Sequence, residues 1–154
     1  MDTKNDQSTP AVNPSNKCSH LYDKDVKLGR TLKEIYELQL EWQAHLATKN
    51  RGLNYDEAEF KTRVDDITIQ WRNLTTEFSE LIERLPFKEW KTYTPEQLRG
   101  KMDQETVLEI WYEYADMFHF FMNIGLALGI RGDDLEKLYV TKRQENFDRQ
   151  KRGY

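Results

Sequence analysis

A chain of 154 residues with 38% hydrophobic content is long enough to bury one core and too short to suggest two domains. Its formal net charge of −4 gives no broad positive field, which argues against nucleic acid and anionic membranes as partners. Cys18 is the only cysteine, so an intrachain disulfide and a cysteine-based zinc site are both excluded, in keeping with a reducing, cytoplasmic setting.

The opening residues, MDTKNDQSTPAVNPSNK, have no apolar centre and do not read as a secretory signal. Residues 1–27 are expected to form a flexible tail ahead of a helical domain over 28–154. From Thr31, TLKEIYELQLEWQAHLA places Leu32, Ile35, Trp42 and Leu46 near one another on a first helix. A second, longer helix is expected from about Tyr55 to Leu85. There Phe60, Val64, Ile67, Trp71, Leu74, Phe78, Leu81 and Leu85 alternate steps of four and three, a packing seam that Pro86 brings to a stop. In TPEQL, Thr94 caps, Pro95 suits the first helical position and Gln97 completes a capping box, so a short helix follows and Gly100 closes it. The next helix runs from near Asp103 to Gly129, a C-terminal signal. Asp133 or Asp134 is expected to cap a last helix carrying Leu135, Leu138 and Tyr139. No strand pattern competes, so the fold class is all-α, a helical bundle whose apolar faces suit completion by a second copy of the chain.

The fourth helix poses the chemical question. EYADMFHFFMNIGLALG, from Glu113, is the most apolar run in the chain, and its stretch from Met117 to Ile130 is shorter than the roughly 20 residues that cross a bilayer. It nevertheless carries Glu113, Asp116, His119 and Asn123. Residues three apart share a helix face, so Glu113 and Asp116 project side by side, and the second helix repeats the arrangement at Glu77 and Glu80. A buried carboxylate without a counter-charge protonates or costs several kcal/mol, so these acids need cations beside them. Two such pairs on antiparallel neighbours would converge into four hard oxygen ligands suited to Mg²⁺. Solvated faces, or lysines and arginines in salt bridges, account for the same spacing equally well.

Two basic segments accompany the acids. TKRQENFDRQKRGY ends the chain with Lys142, Asn146 and Arg149 at helical steps of four and three, either phosphate donors or a solvated basic terminus. FKEWK sets Lys88 and Lys91 around Trp90, which either packs at a helix end or walls a base pocket.

Taken in order, Gln39 and Gln43 in QLEWQ, Glu77 and Glu80 in EFSEL, FKEWK, EYADMFHF and YVTKRQENFDRQKRGY resemble the dimeric all-α dUTPases of phages and protozoa over about residues 31–154. The closing motif, with Tyr139, Lys142, Asn146, Arg149, Gln150, Gly153 and Tyr154, is the most specific part. Gln43 stands where that family usually has Asn or Asp, Arg143 replaces an Asn, and the gap between the acidic pairs exceeds the superfamily's usual spacing.

The resemblance implies that Glu77, Glu80, Glu113 and Asp116 bind Mg²⁺, with Glu77 and Glu80 closest to the chemistry. It implies that Gln39, Gln43 and Trp90 shape the uracil and deoxyribose pocket beside His119 and Asn123. Lys142, Asn146 and Arg149 then hold the phosphates, helped by Lys88 or Lys91, with Tyr139 among the substrate contacts. The implied reaction is hydrolysis of dUTP to dUMP and pyrophosphate by a homodimer, in the host cytoplasm if phage-encoded, limiting uracil incorporation into DNA. A related pyrophosphohydrolase preferring another base, such as dCTP, is the nearest alternative. A helical interaction module binding a repressor-type partner is the alternative from a different class.

Overall fold

The computed structural model describes residues 17–26 and 28–153. The rest of the expected tail, and Tyr154 of the closing motif, lie outside the described residues. Five α-helices follow a short 3-10 turn at Ser19–Leu21: α1 Leu32–Ala47, α2 Phe60–Glu83, α3 Pro95–Leu98, α4 Gln104–Ala127 and α5 Gly132–Lys151. No strand occurs among the described residues, and no helix there is long and apolar enough to cross a membrane. The fold is all-α.

Local chemistry sets most boundaries where the residue pattern expects them. The Thr31 hydroxyl accepts from the Glu34 N–H at 3.3 Å while the Glu34 carboxylate accepts from the Thr31 N–H at 2.7 Å, closing the capping box of α1. Thr94 and Gln97 repeat the device at α3, at 3.2 and 2.9 Å, and Asp103 caps α4 by accepting from the Thr106 N–H at 2.9 Å. At the end of α4, Gly129 takes φ +85°. Its N–H then reaches the Leu126 carbonyl at 3.0 Å and the Ile130 N–H reaches Gly125 at 2.9 Å, which satisfies two otherwise orphaned carbonyls.

Three expectations need correcting. The long helix begins at Phe60 rather than Tyr55, because the Asn54 side chain accepts from the Asp56 N–H at 3.2 Å and holds a turn that competes with the helix. This turn lets Tyr55 swing inward and bury its ring. The last helix begins at Gly132, so neither Asp133 nor Asp134 is its cap; Asp134 instead lies one turn in and accepts from the Arg131 N–H at 3.0 Å. Finally, the apolar seam of α2 and the apolar girth of α4 are only partly buried. Phe60, Trp71, Phe78, Trp111, Tyr114 and Phe121 are all exposed.

Gln70 of α2 meets Asn123 of α4 while Arg84, just beyond α2, meets Glu109, so the two helices run antiparallel and form the body of the bundle. The core collects Tyr36 of α1, Tyr55, and Met122, Leu126 and Ala127 at the end of α4, with Ile67 of α2 and Leu135 of α5 against it. Of the expected tail, the turn at Ser19–Leu21 lies against α4 and the Tyr22 ring sits 6.1 Å from that of Trp111.

Among the helices α5 packs on α1 alone. The crossing is tight at Gly132, where an added Cβ would stand 2.4 Å from the Lys33 Cα, and a Lys33–Asp133 ion pair of 2.7 Å flanks it. Backbone atoms cannot swing aside as a side chain can. Gly132→Ala is therefore expected to push α5 off α1 and to lower unfolding stability by about 1–3 kcal/mol, read from urea titrations. An unchanged urea midpoint would contradict this packing.

Candidate active site

Carboxylates from two helices meet on one side of the α2–α4 pair. Glu77 and Glu80 of α2 and Glu113 of α4 each offer an oxygen within 4.8 Å of the others. Three of the four residues singled out by spacing thus share one cluster. Asp116 lies one turn further along α4 and faces the neighbouring cleft, yet its charge is still felt at Glu77. Burial first, and then Glu80, Asp116 and Glu113, push the Glu77 carboxyl up to about 7. Burial also raises Asp116, an effect that His119 partly offsets.

One cation already answers this charge. Arg84 donates from Nε to Glu113 at 2.8 Å, and its Nη2 bonds the same carboxylate oxygen and stands 3.9 Å from Glu109. Glu109 in turn accepts from the Ser19 N–H at 2.5 Å. Arg84 and Glu109 were not among the residues expected here, although a signal existed. Glu77, Glu80 and Arg84 fall at positions i, i+3 and i+7 of one helical face.

The guanidinium leaves Glu77 and Glu80 with no ion-pair partner among the described residues, and the Glu77 carboxyl is raised by burial first and by the neighbouring carboxylates after it. All three donors are hard oxygens, so the cluster fits a divalent ion of the Mg²⁺ kind. A titration follows from this crowding. With its folded pKa raised from 4.5 to about 7, Glu77 holds a proton in that window that the unfolded chain has lost. Metal-free protein is therefore expected to lose stability as pH rises through that window, and Glu77→Gln to flatten the slope. Thermal melts in EDTA between pH 4.5 and 7.5 would show it; a wild-type curve that rises with pH would contradict it.

Beside the carboxylates, α1 and α4 enclose a cleft of about 580 Å³. Ile35, Leu38, Trp42 and Leu46 supply its apolar wall, and Gln39, Gln43, Asp116, His119 and Asn123 its polar groups. Gln39 and Asn123 are almost fully buried, and the Gln39 amide donates to the Asn123 carbonyl oxygen at 2.7 Å. The Asn123 amide donates to Gln70 at 2.9 Å, and Gln70 donates to Asp66 at 3.1 Å. Tyr55 O–H donates to the same carboxylate at 2.6 Å, and burial together with Asp66 raises its phenol so that it stays protonated. Gln43 is only 6% exposed, yet its amide has no hydrogen-bond partner among the described residues. Its amide is therefore open to a ligand in the cleft.

The remaining expected contacts stand elsewhere in the single chain. Lys88 pairs with Glu83, and neither it nor Lys91 lines the cleft; Trp90 is 79% exposed. Tyr139, Lys142 and Asn146 line a separate hollow of about 440 Å³ on α5, while Arg149 bonds Glu145 at 2.9 Å.

A family model described as dUTPase matches residues 31–131 and 113–154, ranges that take in the cleft, the carboxylates and α5. The chain belongs to the all-α dUTPase family. Among relatives of this dUTPase-family chain, a dCTP pyrophosphatase of Enterobacteria phage LZ5 is 45% identical over 71 residues, covering 44% of this chain and 41% of the relative. The dCTP pyrophosphatase of Enterobacteria phage T4 is 34% identical over 104 residues, covering 62% and 59%. A DNA replication protein of phage T4 is 32% identical over 92 residues, covering 54% of this chain and 23% of that protein. The chain thus spans about half the length of the two pyrophosphatases it matches. No solved structure matches it.

Proposed function

We propose that this dUTPase-family chain hydrolyses a pyrimidine deoxynucleoside triphosphate, dUTP or dCTP, to the monophosphate and pyrophosphate with the help of Mg²⁺. The observation that carries the reading is the juxtaposition of a surplus-charged carboxylate cluster with a cleft walled by apolar groups and buried amides. Phosphates bridged to a metal belong on the first, and a flat base with few hydrogen-bonding atoms belongs in the second.

Glu77, Glu80 and Glu113 would hold the metal, with Asp116 at the boundary between cluster and cleft. Bound Mg²⁺ supplies charge neutralisation of the phosphates and a more acidic water. Glu77, within the cluster, would take a proton from the attacking water. The amides of Gln39, Gln43 and Asn123 and the ring of His119 orient the base, and the apolar wall of α1 excludes bulk water from it. The water oxygen joins the α or the β phosphorus as the P–O bond of the α–β bridge breaks, and the monophosphate and pyrophosphate leave.

Base choice is the finer part of the proposal. Membership of the dUTPase family favours dUTP, and the names of the two phage relatives favour dCTP. The cationic groups of α5 lie apart from the carboxylates of their own chain, and the exposed aromatic faces of α2 and α4 suit burial against a second copy. A homodimer is therefore part of the reading. Pyrophosphate release from dUTP, dCTP, dTTP and UTP, each with Mg²⁺ and with EDTA, tests the whole. Release from dUTP or dCTP with Mg²⁺ alone is expected, and none from any of the four would overturn it.

A further inference from the structure

Three buried amides behind the cleft, Gln70, Asn123 and Gln39, join the half-buried Asp66 to the exposed His119 in one continuous chain of hydrogen bonds with a fixed direction. Its anchor is the Asp66 carboxylate, which accepts from both Tyr55 and Gln70. Gln70 must therefore turn its NH₂ toward Asp66, as seen at 3.1 Å, and its carbonyl oxygen away. That oxygen takes the NH₂ of Asn123 at 2.9 Å, so the Asn123 oxygen faces Gln39 and takes its NH₂ at 2.7 Å. The Gln39 oxygen is then left for His119, whose Nδ1 lies 2.7 Å from it. An acceptor opposite Nδ1 requires a proton on Nδ1. In the neutral form of the ring the other nitrogen, Nε2, then carries a lone pair, on a residue that lines the cleft with Asp116.

We propose that Asp66, acting through Gln70, Asn123 and Gln39, is a positioning residue that sets the tautomer of His119 and thereby the preference between uracil and cytosine. The inference rests on the cleft being the base site, as proposed above. Uracil and cytosine carry opposite hydrogen-bond polarity along the edge that distinguishes them. Uracil donates at N3 and accepts at position 4; cytosine accepts at N3 and donates at position 4. Whichever of the two positions meets His119, a ring that accepts favours one base and a ring that donates favours the other. The relay selects between two pyrimidines from Asp66, a residue that does not line the base cleft.

Its direction can be reversed with one isosteric change. In Asp66→Asn the buried Tyr55 hydroxyl, which needs an acceptor and lies 2.6 Å away, claims the remaining oxygen. The Gln70 NH₂, 3.1 and 3.2 Å from the two Asp66 oxygens, then meets an NH₂ at one of those places; turning over relieves that clash, and each amide follows in succession, so that Gln39 presents NH₂ to Nδ1 and His119 carries its proton on Nε2. In Gln70→Leu the relay is cut and the bias disappears.

Long-range ¹H–¹⁵N spectra of ¹⁵N-histidine-labelled protein, at a pH where the ring is neutral, read the tautomer directly and need no turnover. The wild type is expected to show the Nδ1–H form of His119, Asp66→Asn mostly the Nε2–H form, and Gln70→Leu a mixture. Titration with deoxyuridine and deoxycytidine is expected to give a ratio of dissociation constants that moves by roughly threefold or more between wild type and Asp66→Asn, the scale of one exchanged hydrogen bond at a solvent-exposed ring. A wild-type ring protonated on Nε2 would overturn the proposal before any variant is made. So would an unchanged tautomer in a folded Asp66→Asn, or an inverted tautomer with an unchanged nucleoside ratio. If neither triphosphate is hydrolysed, the proposed reaction falls, while the spectra and nucleoside titrations still decide the relay.

Discussion

Glu77→Gln is expected to reduce pyrophosphate release by roughly a thousandfold while leaving the protein folded and, without metal, no less stable than the wild type at pH 8. Both halves come from the same crowding. Burial and three neighbouring carboxylates push the Glu77 carboxyl up to about 7, so at pH 8 its charge is held against a repulsive field. Glutamine keeps the shape and removes that charge, which relieves the metal-free fold. On the proposed function the same exchange also takes away a metal ligand and the group that accepts the water's proton, and either loss alone reaches into the reaction. Circular dichroism, urea titration in EDTA and steady-state turnover at saturating Mg²⁺ separate the two effects. Turnover within tenfold of wild type would remove Glu77 from the site.

What the residue pattern revealed, and what it hid, follows from the range of the forces involved. Thr31, Thr94 and Asp103 announce helix starts because a cap is a contact between residues three apart, and Gly129 announces a stop because its positive φ is a property of one residue. Glu113 was legible as an acid out of place on an apolar helix, Glu77 with Glu80 read more easily as a solvated face, and the three do converge. Tyr55 was misplaced because a turn at Asn54 overrides a periodicity that continues through it. Gln70 and Asp66 left no mark at all. A glutamine and an aspartate four apart on a long helix look like a solvated face, and only the approach of Asn123 from α4 gives them an inward role. The closing motif shows the opposite limit: its residues are recognisable in order, but α5 packs on α1 alone, so their spacing carries no information about distance to the carboxylates. The aromatic seam of α2 reads as a packing surface, and a single chain only partly buries it.

Arg84→Met is expected to make stability depend on metal. In the folded chain the Glu113 and Glu109 side chains are 10% and 6% exposed, and Arg84, itself 25% exposed, is their shared counter-charge. Removing one member of a buried pair strands the other, at a cost near 3–5 kcal/mol when burial is complete; partial solvation of the guanidinium reduces that to about 2–3 kcal/mol here. Methionine fills similar volume, so the loss reports charge rather than a cavity. A divalent ion bound by Glu77, Glu80 and Glu113 would supply the missing positive charge, and it would no longer compete with a guanidinium for the Glu113 oxygen. By linkage, whatever binds the folded variant more tightly stabilises it more. Urea unfolding at pH 8 is thus expected to show the full loss in EDTA and less than about 1 kcal/mol of it at saturating Mg²⁺. An equal loss under both conditions would mean that the ion does not sit on Glu113, and the carboxylate cluster would then be an arginine-held joint between α2 and α4 instead of a metal centre.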